Sequence, residues 1–129
     1  MTICLSHISA LQALREARSK GCRPKEAGKR IPKSTSIREV EALVAKASFL
    51  RPLPPEGKVS ILVSSQSSRS KSTKTITHVC ANNAVATIAL AKPRGIFIPN
   101  LGFLFVQLAQ CVPFLALIEI GYELCGSYT

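Results

Sequence analysis

At 129 residues the chain holds one domain or two very small ones, and a hydrophobic content of 47% excludes wholesale disorder. The net charge of +10 is unevenly spread. Residues 1–74 carry 15 of the 17 Lys/Arg and five of the seven acids, a balance of +10, whereas residues 75–129 balance to zero. A basic field of that size attracts polyanions, either nucleic acid or an anionic membrane surface; the plainer readings are solubility or a face for an acidic protein.

The N-terminal stretch has no basic residues ahead of its short apolar segment, so it is not a secretory leader. "SHISALQALREARSKG" predicts a first helix. Ser6 is its N-cap, and Ile8, Leu11, Leu14 and Ala17 form one apolar stripe. Arg15, Arg18 and Lys20 sit near the C-terminal end and Gly21 stops it. The loop "CRPKEAGKRIPK" follows, with little to bury. "STSIREVEALVAKASFL" predicts a second helix, opened by a Ser36/Glu39 capping box and burying Ile37, Val40, Leu43, Val44 and Ala47. "RPLPPEG" ends it.

The period then changes. "KVSILVS", "TITHVC", "VATIALA" and "GIFI" predict four short strands, with Ile76 and His78 of the second facing inward and its threonines outward. The basic connection "SQSSRSKSTK" separates the first two, which read as partners. The last third returns to helices: "PNLGFLFVQLAQCV", with Leu101, Leu104, Phe105, Leu108 and Cys111 on one face, and "PFLALIEIGYELCG", with Pro113 in its first turn. Residues 95–118 contain no charge and are long enough to cross a bilayer. Their two prolines and three amides fit a pair of buried amphipathic helices better than a lone span.

The chain is poor in catalytic supply. His7 and His78 are its only histidines, there is no aspartate, and no phosphate-binding glycine loop is present. His78 and Cys80 share a strand face, but no orienting acid is recognisable beside them. Glu119 and Glu123 lie one helical turn apart and read as a solvated helix edge. Cys4, Cys22, Cys80, Cys111 and Cys125 are odd in number and scattered. They match neither a disulfide framework nor a zinc site, and free thiols point to a reducing cytoplasm. No cofactor or metal is expected. What the composition does offer is cations among hydroxyls, suited to phosphate oxygens: Arg23, Lys25, Lys29 and Arg30 in the first basic loop, and Arg69, Lys71 and Lys74 in the second. The aromatics lie mostly in the apolar third, so base stacking has no support.

Several short motifs carry a resemblance. They are "LSHISALQALREAR", "KVSILV", Arg69, His78, "GIFIPNLGFLFVQLA" and the tail "LIEIGYELCGSY". In this order they resemble bacterial proteins related to the AbiEi-type (abortive-infection) antitoxins, many of which continue into a very-short-patch-repair-like endonuclease domain. The family's Ser-Pro-Glu stands here as Ile98-Pro99-Asn100, which leaves that helix start without its usual capping serine, and no nuclease motif follows Tyr128. The resemblance implies an antitoxin-like or nuclease-accessory module without the catalytic part, and it leaves truncation at the C-terminus open. The expectation is therefore a single small α+β domain over 1–129: a basic helical pair (1–57), a small, mainly antiparallel sheet of short strands (58–98) and an apolar helical pair (99–129). It is non-enzymatic and touches DNA or RNA through the seven cations named above. The alternatives are docking on a protein partner, such as the missing nuclease domain, through the C-terminal helices, or a membrane span over about 95–118.

Overall fold

A computed structural model describes residues 3–21, 25–26, 31–32, 35–46, 59–65, 75–80, 85–90 and 95–125. Six strands, β1 (Ile3–Leu5), β2 (Lys25–Glu26), β3 (Val59–Val63), β4 (Thr75–Val79), β5 (Thr87–Ala89) and β6 (Ile96–Pro99), accompany four helices, α1 (His7–Ser19), α2 (Ile37–Lys46), α3 (Leu101–Ala109) and α4 (Phe114–Cys125). The class is α+β. The sheet, however, is mixed rather than mainly antiparallel, with the order β2-β5-β6-β1-β3-β4. β1 runs parallel to β6 and antiparallel to β3, β3 runs parallel to β4, and β5 is antiparallel to both β2 and β6.

The reason is a strand that the sequence pattern does not announce. Ile3-Cys4-Leu5 lies ahead of the first helix, and all three residues are fully buried at the centre of the sheet. Inserted between β3 and β6, it separates strands that would otherwise pair as a meander. The N-terminal part is thus not a helical pair standing apart from a sheet. Its first strand is the sheet's middle, and α1 packs on β3, β6 and α3. The β3–β4 pair is not a hairpin either, since the two strands run parallel.

Cross-strand partners share a face. Ile3 opposite Ile96 and Leu5 opposite Ile61 line the face that takes the helices. There Leu11 and Leu14 of α1, Val40 and Leu43 of α2, Leu104 and Leu108 of α3, and Ile120 and Leu124 of α4 join the strands in one core. Each such side chain contributes about 1.5–3 kcal/mol by leaving water, which explains how a three-residue strand holds a central place. Cys4, opposite Leu62, faces the other way into a smaller cluster with Ile31 and Val85. The phase of β4 is the reverse of the expected one. Thr75 and Thr77 are buried, while Ile76 and His78 are half-buried, because register with Val59 and Ile61 turns the threonines to the helical face.

The helix ends follow local chemistry. Ser36 caps α2 by accepting from the Arg38 amide. The start of α3, expected to lack a cap, has one, since the Asn100 side chain accepts from the Phe103 amide at 2.9 Å. Gly21 ends α1 with φ of 71°, the left-handed conformation that glycine adopts without strain. The charge-free run is broken into β6, α3 and the first five residues of α4. No described helix is long and apolar enough to cross a membrane, so the expected alternative of a span over 95–118 falls.

Candidate functional site

Two places hold the side chains that sequence reasoning singles out, and they differ in kind. The first is the corner between β1 and α1. The Ser6 amide donates to the Ser60 carbonyl, and the Ser60 amide donates to the Ser9 hydroxyl at 2.9 Å. These two bonds stitch "SHIS" to the neighbouring strand. His7 turns the corner with φ of 52°, a left-handed conformation uncommon outside glycine. Its amide donates to Gln107 Oε1, from the buried Gln107 of α3, and its Nδ1 lies 3.0 Å from Ser6 Oγ. Ser6 occupies the N-cap position, but its hydroxyl serves this imidazole instead of a helix amide. His78 of β4 stacks on His7 with ring centroids 4.1 Å apart.

A serine beside a histidine suggests a nucleophile and its base. The geometry gives it another role. Ser6 is fully buried, so its oxygen has no route to a substrate, and the group stacked on His7 is a second imidazole, not an orienting carboxylate. Burial first, and the neighbouring His78 second, hold the His7 imidazole down to about 4, so it is neutral near pH 7. The nearby thiol is equally inert. Burial pushes Cys4 up to about 12, with Cys80 adding to it, which leaves a protonated thiol and no nucleophile. Cys80, which shares a strand face with His78, packs against the Cys4 cluster. Among the described residues no group of three His, Cys, Asp or Glu side chains is placed to hold a metal.

The second place is the outer side of α3 and α4. Phe114, Leu115 and Tyr122 are 74%, 75% and 61% exposed, and Ile118 and Val106 are exposed beside them. An open groove of about 530 Å³ runs between the two helices, lined by Leu101, Gly102 and Phe105 of α3 and Ile118, Gly121, Tyr122, Leu124 and Cys125 of α4. Gly121 forms part of its wall because a Cβ there would stand 3.2 Å from the Phe105 ring. α4 is fixed by α1. Arg15 makes a two-pronged bond to the Glu123 carboxylate, at 2.7 and 2.8 Å, and Arg18 donates to the Glu123 and Leu124 carbonyls. Glu123 is therefore no free helix edge. The hydrogen bond from Arg15 holds its carboxyl below the usual range.

Of the seven cations expected to meet phosphate, Arg23, Lys29, Arg30, Arg69, Lys71 and Lys74 lie outside the described residues, and Lys25 is described only as backbone, in β2. The described anchor points of the two basic segments, Lys25 in β2 and Thr75 in β4, are at opposite edges of the sheet. Five strand spacings separate these edges, about 24 Å. Sequence reasoning named the C-terminal helices as an alternative docking surface, but not the groove between them or which side of α4 stays outside. Its stripe of 114, 115, 118 and 122 has helical spacing and reads as core until the fold shows that the core is already filled by Leu117, Ile120 and Leu124 from the other side of α4. No protein-family model, curated protein or solved structure matches this chain.

Proposed function

We propose that the chain is a non-catalytic, antitoxin-like binding module whose working surface is the apolar α3–α4 face, and that this face takes a protein partner. The carrying observation is the exposure of Phe114, Leu115 and Tyr122 beside an apolar groove. Contiguous apolar surface of this kind marks interaction sites. A membrane surface suits it less, because interfacial helices carry Lys or Arg on their polar side and residues 95–125 contain neither. A small ligand suits it less, because such sites place several convergent polar groups, and this lining offers only the Tyr122 hydroxyl and the Cys125 thiol. The antitoxin-like class comes from the resemblance of the short sequence motifs alone.

The test is the fluorescence of an apolar-surface dye, anilinonaphthalene sulfonate, at protein concentrations below about 1 µM, where weak self-association is absent. The wild type should brighten the dye severalfold, and Phe114→Ser with Leu115→Ser should abolish most of that while leaving circular dichroism unchanged. A dark wild type rejects the reading.

The uneven charge favours a second surface, on which the basic half touches the phosphate backbone of DNA or RNA through Arg23, Lys25, Lys29, Arg30, Arg69, Lys71 and Lys74. Binding to duplex and single strands should fall steeply with salt. Affinity that is absent, or indifferent to salt, removes it.

A further inference from the structure

We infer that the occupant of the α3–α4 face is a second copy of this chain, docked by antiparallel pairing of α4 with its counterpart about a two-fold axis at Ile118. The inference rests on the docking reading above and names its partner. A closed two-fold interface requires one patch to be complementary to itself, with each protrusion meeting a recess on the same patch of the other copy. This face has both. Phe114 and Leu115 protrude at the start of α4, and the groove lies beside the second half of the same helix, at Gly121, Tyr122 and Cys125.

The register follows from the spacing. At 100° per residue, Phe114, Leu115, Ile118 and Tyr122 fall within one stripe about 100° wide, and Ile118 sits near its middle both around the helix and along it. Reversing a second α4 about Ile118 brings like flanks of the two stripes together, setting Phe114 against Gly121, Leu115 against Tyr122 and Ile118 against itself. An aromatic ring meets the small residue that walls the groove, and an exposed leucine covers the Tyr122 ring. A shift of one turn moves Phe114 off Gly121, onto a larger side chain in one direction and to the end of α4 in the other.

Area and charge agree. These four residues leave roughly 500 Å² exposed, more than half of the roughly 800 Å² per partner that a standard interface buries, as suits a weak dimer. The face between Gly95 and Ile118 is uncharged, and Glu119, on the flank of the stripe, is the nearest charge on α4. Repulsion between two chains of +10 arises from the basic half, at a distance where salt screens it. Salt therefore tightens this association, the reverse of its effect on phosphate binding.

Sedimentation equilibrium of the full chain tests the inference. Across about 1–100 µM the wild type should pass from monomer to dimer, more readily at higher salt, and Leu115→Glu should weaken the dimer at least about tenfold. In a background of Cys22→Ser, Cys111→Ser and Cys125→Ser, Ile118→Cys should oxidise to a covalent dimer, since a residue on the axis meets its own copy. A chain that stays monomeric at 100 µM overturns the inference; the docking reading survives that result if the dye still brightens and falls with it if the dye stays dark. A dimer that neither Leu115→Glu weakens nor Ile118→Cys traps uses another surface and also overturns it.

Discussion

The β1–α1 corner and the outer face of α4 are built on opposite terms. The corner gathers the residue types associated with chemistry, two histidines, a serine and a cysteine, yet their bonding capacity is spent inside the fold. Ser6 serves His7, Ser9 serves the Ser60 amide, Gln107 takes the His7 amide, and the two imidazoles stack. The face of α4 holds no such chemistry, but leaves two aromatic rings and two aliphatic side chains in water. Reactive side chains in a sequence are a poor guide to where a protein works. Interactions left unmade are a better one.

The broadest way to break this comparison is to cut the same residue type on its two sides. Leu104 on α3 is fully buried and Leu115 on α4 is 75% exposed. Leu104→Ala should cost about 2–5 kcal/mol, and Leu115→Ala should stay within about 0.5 kcal/mol when urea unfolding is followed at low protein concentration. Equal losses would mean that the α4 face is core. A smaller loss is expected at the corner. Gln107→Leu keeps the volume but strands the part-buried His7 amide, which should cost about 1 kcal/mol in the same measurement.

The corner also has a signature in pH that the face lacks. His7 is held at about 4 in the fold against an ordinary value of 6.5, so the unfolded chain binds the proton more tightly. Its contribution is whole above about 6.5 and is lost as pH falls toward about 4. Because the ring is only half-buried, solvent screening reduces the loss to about 1–2 kcal/mol. His7→Asn tolerates the left-handed backbone and removes the titration, so stability between these limits should flatten. A slope that survives the substitution would assign it elsewhere.

Much of this fold was legible, and the failures have a common cause. α1, α3 and α4 follow from apolar spacing and terminal residues, and β3 follows from a β-branched run. β1 does not, because three residues cannot display an alternating period; only the burial of Ile3, Cys4 and Leu5 between β3 and β6 reveals it. Missing β1 also hid its parallel pairing with β6, one of the two parallel pairs that make the sheet mixed. The corner was equally hidden, because His7 and His78 are 71 positions apart and meet only through the β1–β3–β4 order. The stripe on α4 was visible as apolar spacing, but whether such a stripe faces a core or a partner depends on which side of the helix the rest of the chain has already filled.

The smallest expected effect tests whether the two regions are independent. Arg15 and Glu123 tie α1, which begins at the corner, to α4, which carries the face. The pair has good geometry, but Arg15 is more than half exposed, so Arg15→Gln should cost about 0.2–1 kcal/mol. The folded Glu123 carboxyl lies below its ordinary range, so the pair's contribution is present above that range and is lost as pH falls through it; the cost of Arg15→Gln should shrink accordingly in acid. Arg15 shares no partner with His7, so Arg15→Gln and His7→Asn should add, and the dependence of His7 between about 6.5 and 4 should be the same with or without Arg15. A clear interaction energy would mean that α1 transmits strain from the corner to α4, and that the closed region helps to set the geometry of the open one.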